Sequence, residues 1–77
     1  MDTNEAMRAL VARSGLSMRA ASLEMGRSPT WLSTTVGREG SSEAAIVAEL
    51  AHVCGYTLCA VPDRDVPGSA LVIDPPR

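Results

Sequence analysis

The chain is 77 residues long with a formal net charge of −2, 45% hydrophobic residues and no Phe. That length holds one domain near the lower limit at which a single core supports a fold unaided, and the charge argues against strong generic binding to nucleic acid. No secretory leader is legible and no apolar run approaches the ~20 residues of a membrane span, which predicts a soluble cytoplasmic protein with no membrane partner.

Asp2 or Thr3 is placed to cap a first helix running to about Ser14, with Gly15 as its exit. Met7, Leu10, Val11 and Ser14 recur at helical spacing and mark its packed face. Ser17 caps a second helix over 18–25, which turns Ala21, Ser22 and Met25 inward. Gly26 supplies the positive φ that ends a helix. Ser28 is expected to cap a third helix over 29–37, with Pro29 in its first turn, where a missing N–H costs nothing. Leu32 and Val36 of that helix face the core. A stop and restart within about three residues is the spacing of a helix-turn-helix. Gly37 and Gly40 loosen the chain, and Ser41 or Ser42 caps a fourth helix over 43–54. Its stripe Ile46, Val47, Leu50, Val53 and Cys54 is the clearest amphipathic pattern present, closed by Gly55.

From Tyr56 the composition changes. Tyr56-Thr-Leu-Cys-Ala-Val61 and Ser69-Ala-Leu-Val-Ile73 are rich in strand formers, and Pro62-Asp-Arg-Asp-Val-Pro-Gly68 between them forms turns. The expectation is a C-terminal β-hairpin. A lone hairpin is marginal in water, and the most economical partner is the same hairpin from a second copy. Tyr56, Leu58, Ala60, Leu71 and Ile73 are therefore the expected homodimer interface. The tail Asp74-Pro-Pro-Arg77 is expected to fray. The fold class is mainly α: a four-helix bundle over 1–55, then the hairpin over 56–77 as the dimerisation element. Only Trp31 and Tyr56 are aromatic, so the core is aliphatic, and so small a chain commonly gains stability by oligomerising.

Charge is unevenly spread. Residues 1–38 hold five Arg against three acids, whereas residues 39–77 hold two Arg and six acids. Lys is absent, so every cation is a guanidinium suited to bidentate contact with phosphate or guanine. Cys54 and Cys59 match no zinc spacing, and His52 is the single histidine, so buried free thiols, no metal and no cofactor are expected. His52 lies off the apolar stripe, and no arrangement of Ser, His and acids suggests a triad. The chain does not read as an enzyme.

With the helices placed, residues 5–55 resemble the lambda-repressor-like (Cro/C1, or Xre) family of helix-turn-helix DNA-binding domains. The likeness is carried by Leu16-Ser17, Ala21-Ser22, Met25-Gly26, Ser28-Pro-Thr-Trp-Leu32-Ser33 and the helix Glu43 to Gly55. The continuation Gly55-Tyr56-Thr-Leu58 resembles small phage-borne regulators and antitoxins, some of which dimerise through a C-terminal strand. The chain departs from the family at Ser22, where a second alanine is usual, and at Arg27, where the turn is commonly apolar. It departs again at Met18, where a phosphate-binding Gln is frequent.

The resemblance implies that the third helix enters the major groove of double-stranded DNA. Pro29, Thr30, Ser33 and Thr34 then meet base edges, and Ser17, Arg19, Arg27, Ser28 and Arg38 meet phosphates. The bland alternative is that these are solvated surface residues. Trp31 either covers the first helix as partial core or stacks on a sugar–phosphate strand, and if exposed it would make a hot spot for binding another protein. The leading functional expectation is a homodimeric, sequence-specific transcription regulator, a phage repressor or an antitoxin-like autoregulator. The alternative is the same fold used as a protein-binding inhibitor, an anti-CRISPR, antirepressor or toxin-neutralising protein whose partner is a CRISPR effector or a toxin.

Overall fold

A computed structural model describes residues 1–75, and it builds from the first cap onward. The Asp2 carboxylate accepts the Glu5 N–H at 2.8 Å while the Glu5 carboxylate accepts the Asp2 N–H, a reciprocal capping box that opens α1 (Thr3–Ser14). Gly15, at φ 79°, ends it. The Ser17 hydroxyl accepts the Ala20 N–H at 3.0 Å and starts α2 (Met18–Glu24). After α2 the chain closes in a Schellman turn: Arg27 N–H donates to the Ser22 carbonyl and Gly26 N–H to the Leu23 carbonyl, with Gly26 at φ 72°. The third and fourth helices are α3 (Trp31–Gly37) and α4 (Ala44–Val53). A second Schellman turn ends α4, with Tyr56 N–H bonded to the Ala51 carbonyl, Gly55 N–H to the His52 carbonyl, and Gly55 at φ 82°.

The core is the meeting of the four apolar faces. Met7, Leu10 and Val11 of α1 pack with Ala21 and Met25 from α2 and its cap, Leu32 and Val36 of α3, and Val47, Leu50 and Ala51 of α4. These follow the inward faces read from periodicity except at Ala51, which the expected stripe omitted, and at Ser14, which is only half-buried. Ile46, Val53 and Cys54 sit half-buried at the edge of the same core.

Three expectations need correcting. The C-terminal β-hairpin is absent: among the described residues no β-strand forms anywhere. The two strand-forming runs do not pair, because the segment between them folds into turns and the second run is bonded elsewhere. A turn of 3₁₀ helix at Asp63–Asp65 and a second turn at Pro67–Ala70 lie between them. The run from Ser69 is drawn onto α1 instead. Arg13 donates to the Ser69 carbonyl at 2.8 Å, the Met1 amino group donates to the Val72 carbonyl, and Asp74 N–H donates to the Met1 carbonyl at 2.9 Å. Leu71 and Ile73, expected to face a second copy, are half-buried against this chain's own core.

The second correction concerns α3, which starts at Trp31, not at 29. Thr30, not Ser28, is its N-cap, and the Ser28 carbonyl accepts the Trp31 N–H at 3.1 Å in a turn over Ser28–Trp31 that precedes the helix. The connection between α2 and α3 therefore spans residues 25–30, longer than the spacing expected. Third, α4 is preceded by Glu43 as N-cap with no side-chain hydrogen bond, and Ser42 instead donates its N–H to the Thr3 hydroxyl at 3.0 Å. Of the expected frayed tail, Pro76 and Arg77 lie outside the described residues. No helix among the described residues is long and apolar enough to cross a membrane.

Candidate nucleic-acid interface

The exposed face of α3 depends on how firmly its opposite face is held. Leu32 is fully buried and Val36 nearly so, which leaves positions 30, 33, 34 and 37 outside by helical spacing. Thr30, Ser33, Thr34 and Gly37 are indeed exposed, and Pro29 is half-exposed. The Ser33 hydroxyl donates to the Thr30 carbonyl at 3.1 Å, and the half-buried Thr35 hydroxyl donates to the Trp31 carbonyl at 2.8 Å. Thr34 carries no intramolecular side-chain hydrogen bond among the described residues, so its hydroxyl is open to a ligand.

The sequence reading missed what anchors this helix. Ser22 is completely buried, and its hydroxyl donates to the Met18 carbonyl at 2.8 Å while accepting the Leu32 N–H at 3.0 Å. The first turn of α3 leaves N–H groups without helical partners, and Thr30 supplies no side-chain cap. Ser22, reaching across from α2, meets that need and fixes the two helices to each other. At the other end Arg8 of α1 donates to the Val36 carbonyl at 2.9 Å, satisfying an orphan acceptor of the last turn. Asn4 holds the exit of α3 by donating to the Arg38 carbonyl at 2.8 Å. A polar residue on an otherwise apolar inward face was the available signal for Ser22. Nothing in the sequence pattern marked Arg8 or Asn4.

The expected phosphate contacts divide into two groups. Arg19 and Arg38 are exposed, and neither guanidinium has an intramolecular partner among the described residues. Ser17 and Ser28 are exposed too, although the Ser17 hydroxyl is engaged as a cap. Arg27 is half-exposed but engaged within the chain. Its guanidinium lies 4.4 Å from the centroid of the Trp31 ring and 3.6 Å from the Glu49 carboxylate. Trp31 is half-buried against the core beneath it, which is the packing role. The arrangement is a stack of Trp31, Arg27 and Glu49 that joins α3, the α2–α3 turn and α4, with a cation–π contact as its inner member.

Of the other residues singled out, His52 is exposed, Cys54 is half-buried and Cys59 is exposed, against the expectation that both thiols are buried. Burial pushes the Cys54 thiol above its ordinary pKa, an effect opposed by hydrogen bonding to Ser14. No protein-family model, curated protein or solved structure matches this chain.

Proposed function

We propose that this chain is a DNA-binding regulator of the lambda-repressor-like kind, reading duplex DNA with the outer face of α3. The observation that carries the reading is the division of α3 into two faces. Leu32 and Val36 are locked to the core and to Ser22, while Thr30, Ser33 and Thr34 stand together in solvent on a helix anchored at both ends. Rigid presentation of short polar side chains suits base-edge contact, since Thr and Ser hydroxyls accept or donate and the Thr methyl meets the thymine methyl. Such contacts discriminate less than a bidentate Arg or Gln, so the affinity of this surface rests on Arg19 and Arg38 at the backbone.

The test is fluorescence anisotropy on random-sequence duplex across a salt series. Arg19→Ala and Arg38→Ala each lower the log–log salt slope by about one unit, whereas Arg27→Ala, already paired with Glu49, changes it less. Absence of binding by the unaltered chain at low salt overturns the reading. One observation favours a second reading, in which the fold binds a protein such as a toxin or a CRISPR effector. Arg27, the cation nearest the start of α3, already lies over the Trp31 ring and 3.6 Å from the Glu49 carboxylate.

A further inference from the structure

Arg27, Trp31 and Glu49 meet at the surface beside the start of α3. The Arg27 guanidinium lies over the Trp31 ring, 4.4 Å from its centroid, and 3.6 Å from Oε2 of Glu49. The two charged side chains are 34% and 44% exposed, so a solute can reach both. Among the described residues this is the only ion pair between two side chains. At that distance the pair has no hydrogen bond, and no guanidinium N–H of Arg27 is bonded elsewhere among the described residues. The other arginines of residues 1–38 are disposed differently. Arg8 and Arg13 each donate to a backbone carbonyl, while Arg19 and Arg38 stand in solvent without an intramolecular partner among the described residues. Arg27 alone is held by a carboxylate, and an exposed pair of this kind adds little to stability.

We infer that Glu49 is an internal competitor for the phosphodiester groups of bound duplex. By holding Arg27 over Trp31 it withholds one backbone contact and limits how tightly the chain holds DNA of any sequence. The inference rests on the DNA-binding reading and adds to it a residue of α4 that touches no DNA itself. A guanidinium recognises carboxylate and phosphate through the same fork of N–H donors, so the two anions exclude each other. The contact with the Trp31 ring consumes none of those donors, which leaves Arg27 its full capacity for an oxyanion once the Glu49 charge is removed. Loss of any acid also relieves general repulsion of the DNA backbone, so the test carries a control that changes net charge equally.

The experiment is fluorescence anisotropy on random-sequence duplex across a salt series, with helicity checked by circular dichroism. Glu49→Gln keeps the size of the side chain and its preference for helix. It is expected to steepen the log–log salt slope by about one unit and to raise affinity at low salt severalfold. Both gains vanish when Arg27→Ala is added to Glu49→Gln, whereas Arg27→Ala alone stays close to the unaltered chain. Glu24→Gln removes an exposed acid of α2 that has no ion pair among the described residues, and leaves the slope unchanged. An unchanged slope in Glu49→Gln overturns the inference, as does a gain that survives Arg27→Ala or is matched by Glu24→Gln. If Arg19→Ala and Arg38→Ala lower the slope while Glu49→Gln leaves it alone, the competitor falls and DNA binding stands. If no chain of the set binds at low salt, both fall.

Discussion

Residues 1–55 and residues 56–75 are both rich in apolar side chains, yet the first stretch builds four α-helices and the second a single 3₁₀ turn. The difference lies in where each finds its hydrogen bonds. A helix closes its ladder within its own segment and needs outside help only at its ends. Here that help comes from Asp2, Ser17, Ser22 and Arg8. A strand closes nothing alone. The runs 56–61 and 69–73 have the composition of strands, but one leans on α1 and the other leaves five residues unpaired among those described. Strand propensity states a willingness to pair and does not supply the partner.

The sharpest way to break this comparison is one substitution made in both regions. Leu50→Ala removes a fully buried side chain from the centre of the helical core and is expected to cost about 2–5 kcal/mol. Leu58→Ala, at a position 41% exposed, is expected to stay within about 0.5 kcal/mol for the monomer. Urea denaturation measures both. Comparable losses would show that the C-terminal segment belongs to the cooperative core.

Ser22→Ala is next in size. It strands the Leu32 N–H in a buried place and is expected to cost about 1–3 kcal/mol. If Ser22 served only as a small residue, the change would be neutral or stabilising, as alanine favours a helix. Gly26→Ala follows, because alanine at φ 72° takes a left-handed conformation that costs about 1–2 kcal/mol. No neighbouring atom crowds an added Cβ there, so strain in the backbone is the whole effect.

Most of the helical half was legible because its signals are local. Gly26 and Gly55, the Asp2 and Ser17 caps, and the apolar spacing on all four helices act within a few residues of where they stand. What escaped was set by distance. Ser28 and Pro29 looked like a helix start, but the Leu32 N–H is satisfied by Ser22 from another helix, and α3 starts later. Arg27 looked free for phosphate because Glu49 is 22 positions away in sequence, and only the fold brings them within 3.6 Å. The hairpin failed for the same reason, since Arg13 and Met1 compete for the second run from the far end of the chain.

Thiol chemistry sharpens the comparison without changing stability. Cys54 is half-buried and its thiol is held protonated to higher pH by burial, whereas Cys59 is exposed on the unpaired segment. The thiolate is the reactive form. Labelling at neutral pH is therefore expected to modify Cys59 first, with Cys54 following more slowly. Mass spectrometry of partially labelled protein resolves the order, and equal rates would place Cys54 outside the protected region.

The smallest effect is a pH dependence confined to the first cap. The Glu5 N–H bonded to the Asp2 carboxylate holds that carboxyl below the ordinary aspartate range. A group whose native pKa is depressed stabilises the fold fully at pH above its unfolded value of about 3.9, and that contribution is lost as pH falls through the lower native value. The carboxylate is fully exposed, so water screens it and the effect is slight. Asp2→Asn keeps a capping oxygen but does not titrate. The stability difference between the two chains, followed by denaturation from pH 6 downward, should therefore be constant at first and shift only below about pH 4. A difference that stayed constant down through about pH 3 would assign the acid sensitivity of α1 to a group other than Asp2.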